Sequence, residues 1–134
     1  MRIVILGSGN VAFHLAQAFS ENKIGVSQIF GRNEKALKEI SKHCSIPYST
    51  DEMMDADLYI IAVKDDVTAE ISRKIIKEDC LVAHTSGSLP KEILEGNYRK
   101  ASFYPLQTFS KSKKINYAEI PFFVEAENQE DLEM

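Results

Sequence analysis

The sequence predicts an α/β fold built on a doubly wound, mostly parallel sheet with helices on both faces. Short apolar runs of strand length alternate along the chain with stretches whose apolar residues recur every three or four positions. The first apolar run leads directly into a glycine-rich turn. Because right-handed crossovers join parallel strands, this alternation places the helices against the faces of the sheet.

The first half of the chain predicts two strand–helix pairs. Residues 3–6 are consecutive large aliphatic residues, and residues 10–21 follow as a helix because their apolar side chains repeat at helical spacing. Residues 26–30 are predicted as the second strand, which ends at a glycine. Residues 33–42 then follow as a helix, for which Asn33 is a favourable N-cap.

The later elements are predicted from the same patterns. Apolar runs of strand length predict strands over residues 45–48, 57–63, 80–84, 101–104 and 121–125. Residues 66–76 and 90–95 are predicted as helices, the first capped by Asp66 and the second with Pro90 near its start. Residues 50–54 are predicted as a brief helical turn with Ser49 or Thr50 as its cap.

The turn after the first strand has the pattern Gly-x-Gly-x-x-Ala. Its position between a strand and a helix is the context in which this pattern indicates dinucleotide binding. Gly7 allows the tight turn, Gly9 leaves room for a pyrophosphate, and Ala12 allows close packing of helix and strand. The N-terminus of the helix attracts the phosphates. We therefore predict that these residues of the turn contact the cofactor: Gly7, Ser8, Gly9, Asn10 and Val11.

Composition limits the other classes of function. A chain of 134 residues predicts one domain, and a net charge of −4 without a basic stripe disfavours nucleic-acid binding. No apolar run approaches the roughly 20 residues of a membrane span, and no signal peptide is evident. Cys44 and Cys80 form neither a disulfide framework nor a metal-ligand pattern. We therefore expect a cytoplasmic protein without a metal site.

The end of the second strand predicts which dinucleotide binds. An acidic residue at this point hydrogen-bonds the ribose 2′-hydroxyl of NAD. Here the strand ends without a carboxylate, and Arg32 and Asn33 follow it. A guanidinium and an amide can bind a 2′-phosphate, so NADP is favoured over NAD. The alternative is that Arg32 is a solvated loop residue and that Asn33 has only the local role of capping the next helix.

Polar residues also follow the later strands, at the edge of the sheet where ligands bind in open α/β folds. After residues 57–63, the predicted cofactor contacts are Val63, Lys64 and Asp65. After residues 80–84, His84 is a candidate acid–base group, and Ser86 lies in a loop suited to a carbonyl or carboxylate. Gln107 is a third candidate catalytic residue, placed to donate to a substrate or to the nicotinamide amide. The alternative for His84 is a hydrogen-bonded residue at the end of a strand.

Together these segments resemble a known family. The residues that carry the resemblance are 7–12 (Gly-Ser-Gly-Asn-Val-Ala), 62–66 (Ala-Val-Lys-Asp-Asp), 84–88 (His-Thr-Ser-Gly-Ser), 104–110 (Tyr-Pro-Leu-Gln-Thr-Phe-Ser) and 121–125 (Pro-Phe-Phe-Val-Glu). The chain resembles a Rossmann-like bacterial family that pairs this domain with a C-terminal domain of unknown function. That family is similar to pyrroline-5-carboxylate reductase, deazaflavin-dependent NADP oxidoreductases and prephenate dehydrogenase.

The resemblance implies a dinucleotide domain over residues 1–126 and a following helical domain that completes the substrate pocket and forms a homodimer. Residues 127–134 fit the start of a helix capped by Asn128, although a frayed acidic tail is the alternative. The leading hypothesis is an NADP-dependent oxidoreductase acting on a small carbonyl or imine substrate. The alternatives are a non-catalytic NADP-binding or sensing module and, less favoured, an S-adenosylmethionine methyltransferase.

Overall fold

The computed structural model describes residues 2–21, 24–86, 89–105 and 122–126. Strands and helices alternate through these residues. The strands are β1 (Ile3–Leu6), β2 (Gln28–Phe30), β3 (Tyr48–Ser49), β4 (Leu58–Ile61), β5 (Leu81–His84), β6 (Arg99–Pro105) and β7 (Phe122–Ala126). The helices are α1 (Asn10–Glu21), α2 (Glu34–Cys44) and α3 (Asp65–Ser72), with a short 3-10 helix at Lys91–Ile93.

The seven strands of the described residues form one sheet in the order β3-β2-β1-β4-β5-β6-β7. Neighbouring strands are parallel except for β6 and β7, which are antiparallel. The chain first runs from β1 outward to β3 and then returns to β4 on the other side of β1. This reversal of strand order confirms the predicted doubly wound, mostly parallel sheet.

The first strand shows why the sheet is covered on both faces. Ile3 and Ile5 pack into the core cluster that includes α1 and α2, whereas Val4 and Leu6 pack into the cluster that includes α3. Successive side chains of a strand point to opposite faces, and all four of these are buried. A continuous aliphatic run is therefore the pattern that a strand in this position requires.

The second helix begins and ends with local hydrogen bonds. The side-chain oxygen of Asn33 accepts a hydrogen bond from the backbone N–H of Ala36 at 3.2 Å, which confirms the predicted N-cap. Ser45 follows the helix in the left-handed conformation, with φ of 57°, and its N–H donates to the carbonyl of Ser41. These caps fix the points at which α2 begins and ends.

The predicted helical turn over residues 50–54 is wrong. The Ser49 hydroxyl does accept a hydrogen bond from the backbone N–H of Glu52 at 3.0 Å, but no helix follows. The buried side chain of Gln28 instead donates to the Glu52 carbonyl and accepts from the N–H of Met54, each at 2.9 Å. Hydrogen bonds from a distant strand therefore hold this segment as a loop.

The third helix also differs from the prediction. It begins at Asp65 rather than Asp66, and Lys64 occupies the N-cap position without a side-chain hydrogen bond, so the predicted cap at Asp66 is wrong. The helix ends at Ser72, where tertiary contacts reach its polar groups. The carbonyl of Ser72 accepts from the buried hydroxyl of Tyr98 at 2.9 Å. The helix predicted over 90–95 is reduced to the 3-10 turn.

Two further observations concern reactivity and membranes. Cys44 and Cys80 are both free and buried, and burial raises the pKa of each thiol. A buried thiol with a raised pKa is a poor nucleophile, so both side chains serve the core. None of the described helices is long and apolar enough to cross a membrane.

The contact between Asp57 and Arg2 makes a prediction about acid stability. The Asp57 carboxylate accepts from the Arg2 backbone N–H at 2.8 Å, and this bond holds the pKa of Asp57 below its usual range. The contact stabilises the fold above about pH 4 and is lost as the pH falls through the lowered pKa. We expect Asp57→Asn to be less stable than the unaltered chain at pH 7, with a difference in urea denaturation that shrinks as the pH falls below about 4. A difference that is independent of pH would contradict this account.

Candidate functional site

A cleft of about 890 Å³ opens at the carboxyl ends of β1, β2, β4 and β5. It lies where the strand order reverses around β1, which is the position at which open α/β sheets bind ligands. All ten predicted cofactor contacts line it: Gly7, Ser8, Gly9, Asn10, Val11, Arg32, Asn33, Val63, Lys64 and Asp65. The topology therefore brings together residues from three separate turns of the sequence.

Gly7 is required by the fold itself. Its φ is +134°, and a β-carbon at this position would lie 2.1 Å from the carbonyl oxygen of Ala62. Its N–H donates to the carbonyl of Phe30 at 2.8 Å, while the N–H of Ala62 donates to Leu6 at 2.7 Å. The turn after β1 therefore packs directly against the end of β2 on one side and the backbone after β4 on the other, and only glycine fits at position 7.

Gly9 differs from Gly7 in a way that concerns a ligand. A β-carbon at Gly9 would meet no protein atom within 4 Å, and its backbone does not have the positive φ that excludes other residues. The packing of the described residues therefore does not require glycine at this position. The open space lies in the cleft, at the start of α1, where a pyrophosphate can approach the backbone.

The helix N-termini at this edge of the sheet differ in charge. The first turn of α1 contains no acidic residue. The first turn of α2 begins with Glu34, and that of α3 contains Asp65 and Asp66. Carboxylates already occupy the positive ends of α2 and α3, so among these helices α1 has the N-terminus best suited to an anionic ligand.

Arg32 and Asn33 form the wall of the cleft beyond β2. No carboxylate ends this strand, and the side chain of Arg32 is exposed. Asn33 uses its side-chain oxygen for the cap of α2, which leaves its amide N–H groups as donors. The end of β2 therefore presents hydrogen-bond donors and a positive charge to a ligand.

The charged lining extends to a residue that the sequence analysis did not identify. Exposed Lys74 lines the cleft together with Arg32 and Lys64. In the part of the chain that the structure describes, none of these three cations forms an ion pair. Val67 and Ile71 also line the cleft. Ile71 lies four residues after Val67, and Lys74 lies three residues after Ile71. This helical spacing is the signal that could have revealed it.

Hydrogen bonds hold the segment after β5 at the other side of the cleft. The N–H of Ser86 donates to Nδ1 of His84 at 3.1 Å, and Nε2 of His84 lies 3.0 Å from the carbonyl oxygen of Pro90. Thr85 donates to the carbonyl of Ile61 through its N–H and its hydroxyl, each at 3.2 Å. Thr85 and Ser86 line the cleft, whereas the side chain of His84 is fully buried.

The three predicted catalytic residues are not brought together in the described part of the chain. Ser86 lines the cleft, His84 is enclosed in the interior, and Gln107 lies outside the described residues, as does the segment 127–134. Protein groups occupy both ring nitrogens of His84, so the ring does not face the cleft in this arrangement, and its acid–base role stays a prediction. Within the described ranges, no group of three or more His, Cys, Asp or Glu residues is arranged to hold a metal ion.

The sequence of this cleft matches a family model. The family is described as NADP oxidoreductase, coenzyme F420-dependent, and its model matches residues 2–87, from the start of β1 to the segment after β5. The chain belongs to this family. The match confirms the predicted NADP-oxidoreductase type of Rossmann domain and favours it over the methyltransferase alternative.

Solved structures of other proteins have a similar fold. A Bacteroides fragilis protein assigned as an NADP oxidoreductase has 38% identity and a TM-score of 0.90, over 97% of this chain and 53% of that chain. A Thermotoga maritima protein has 17% identity and a TM-score of 0.74, over 95% and 50% of the two chains. The 1-pyrroline-5-carboxylate reductase of Streptococcus pyogenes has 16% identity and a TM-score of 0.71, over 97% and 51%.

The last two similarities show the fold alone, because their identities are low. The chain spans about half the length of each of these structures. No functionally curated protein matches it.

The two glycines of the turn predict different effects of substitution on stability. Gly7→Ala places a β-carbon against Ala62 at a strained φ, so we expect a loss of about 2–4 kcal/mol in the free energy of unfolding. Gly9→Ala meets no protein atom, so we expect its stability to stay within about 1 kcal/mol of the unaltered chain. Urea denaturation of the two variants measures both values. A similar loss for both would show that Gly9 also has a role in folding.

Proposed function

We propose that this chain is the NADP-binding domain of an oxidoreductase. The carrying observation is the open space at Gly9, next to the one described helix at the cleft whose first turn holds no acidic residue. In this proposal the pyrophosphate lies on residues 7–11 and accepts hydrogen bonds from the start of α1. Val63, Lys64 and Asp65 form the adjoining wall.

The end of β2 supports a preference for NADP over NAD. In the proposal Arg32 and the amide of Asn33 bind the 2′-phosphate, since both line the cleft and both can donate hydrogen bonds. Charge-assisted hydrogen bonds from a guanidinium to a phosphate are stronger than those between neutral groups. Lys64 and Lys74 add positive charge along the same cleft.

The chemistry that bound NADP supplies is hydride transfer between its nicotinamide ring and a small carbonyl or imine substrate. The protein binds and orients the reactants, and Ser86 is the proposed contact to substrate because it lines the cleft beyond β5. Gln107 is the proposed second contact to the substrate.

The proposal extends to the whole protein. Solved structures about twice as long as this chain support a further domain. In the proposal that domain is helical, completes the substrate pocket and forms a homodimer. The two free cysteines support a cytoplasmic location, where thiols stay reduced.

The first prediction of this proposal concerns Arg32. We expect Arg32→Gln to weaken NADPH binding by roughly 10- to 100-fold, because a hydrogen bond to a charged group contributes about 1.5–3 kcal/mol. NADH binding should change by less than about twofold, since NADH has no 2′-phosphate. Lys35→Gln is the matched control, because Lys35 is exposed, loses the same charge and does not line the cleft. Calorimetric titration of each variant with both nucleotides measures the effect. Equal losses for NADPH and NADH would refute the assignment of Arg32.

The second prediction concerns catalysis by the full-length protein. We expect the protein to oxidise NADPH with at least one member of a panel of small ketones, aldehydes and cyclic imines. Absorbance at 340 nm measures the reaction, and about one NADPH should be consumed for each substrate molecule reduced. Coenzyme F420 belongs in the panel because the family description names it. Tight NADPH binding without turnover on any member would favour the sensing module over the enzyme. An absence of binding would remove the proposal itself.

A further inference from the structure

We propose that His84 is a positioning residue: its neutral ring, protonated at Nε2, fixes the backbone of Ser86 in the wall of the cleft. This inference rests on the proposed function, because the cleft is the proposed cofactor site. The side chain of His84 is 0% exposed, so it acts on the cleft through the segment that it holds rather than by contact with a ligand. The interaction partners of the ring identify that segment.

The two hydrogen bonds of the ring determine which nitrogen carries the proton. The N–H of Ser86 donates to Nδ1 at 3.1 Å, so Nδ1 must present a lone pair. Nε2 lies 3.0 Å from the carbonyl oxygen of Pro90, which can only accept, so Nε2 must carry the hydrogen. A neutral ring in this tautomer satisfies both partners. A proton on Nδ1 would oppose the N–H of Ser86.

The ring connects two points of the chain that follow β5. Ser86 and Pro90 are four residues apart, and both are bonded to the same imidazole. A second attachment comes from Thr85, whose N–H and hydroxyl both donate to the carbonyl of Ile61 at the end of β4. The backbone before Ser86 is therefore attached to β4, and that of Ser86 itself to the ring. Loss of the ring removes the attachment of Ser86 and keeps that of Thr85.

The position of Ser86 predicts which part of the cofactor loses contacts when the His84 ring is removed. Arg32 follows β2 and Ser86 follows β5, with β1 and β4 between them. Three strand spacings of about 4.8 Å put roughly 14 Å between the two ends of the cleft. In the proposed orientation Arg32 binds the adenosine half, so Ser86 lies towards the nicotinamide half. A displaced Ser86 should therefore weaken NADPH binding and leave binding of the adenosine half unchanged.

Calorimetric titration of His84 variants with two ligands tests the inference. NADPH reports on the whole cleft, and adenosine 2′,5′-bisphosphate reports on the adenosine half alone. We expect His84→Phe to weaken NADPH binding by about tenfold, with the bisphosphate within about twofold of the unaltered chain. His84→Asn should recover part of the NADPH affinity, because a shorter side chain with an oxygen can still accept from the N–H of Ser86.

Tyr98→Phe is the matched control for the loss of a buried hydrogen bond. The Tyr98 hydroxyl donates to the carbonyl of Ser72 at 2.9 Å and is not part of the cleft lining. We expect this variant to lower the melting temperature without changing the ratio of the two affinities. If His84→Phe also leaves that ratio unchanged, His84 has a structural role only and the inference is overturned.

Nitrogen-15 NMR of the unaltered full chain tests the tautomer without any substitution. We expect the His84 ring to be protonated at Nε2 and unprotonated at Nδ1 at pH 7.5, both with and without NADPH. A ring protonated at Nδ1 would overturn the inference. The two proposals can therefore fail separately. A chain that binds neither NADPH nor the bisphosphate in the titrations would contradict the cofactor site, whereas the NMR spectrum reports the tautomer whether or not a ligand binds.

Discussion

Gly7 brings the end of β1 against the backbone that follows β4, with no space for a β-carbon beside the carbonyl of Ala62. The same turn is bonded to Phe30 at the end of β2, so one residue determines how closely three strands approach. The start of α1 and the space at Gly9 lie directly after this turn. The position of the cleft is therefore determined by a contact inside the protein.

The features that the sequence could predict are those determined by neighbouring residues. The aliphatic run of β1, the glycine turn and the start of α1 follow one another within 12 residues. The cap at Asn33 and the absence of a carboxylate at the end of β2 are likewise local. Because parallel strands present their carboxyl ends at one edge, these local features also predicted which turns share the cleft.

The features that could not be predicted depend on distant partners. Gln28 holds residues 50–54 as a loop from 24 and 26 positions away, although the Ser49 hydroxyl offers a helix cap. Tyr98 takes the carbonyl of Ser72 at the point where α3 ends, 26 positions earlier in the chain. The enclosure of His84 likewise arises only when the sheet forms around it. A histidine beside serine and threonine looks reactive in a sequence, and only the folded chain shows that its ring is enclosed and bonded at both nitrogens.

Asn33 has a consequence for how cofactor preference can evolve. Its side-chain oxygen caps α2, and aspartate caps helices about as well as asparagine. A carboxylate beside Arg32 would nevertheless place a negative charge at the position where this fold recognises the 2′-hydroxyl of NAD. In the proposed binding mode, the stability of α2 and the choice of nucleotide are therefore separable at this residue. A change of cofactor at this position would not have to pass through a less stable protein.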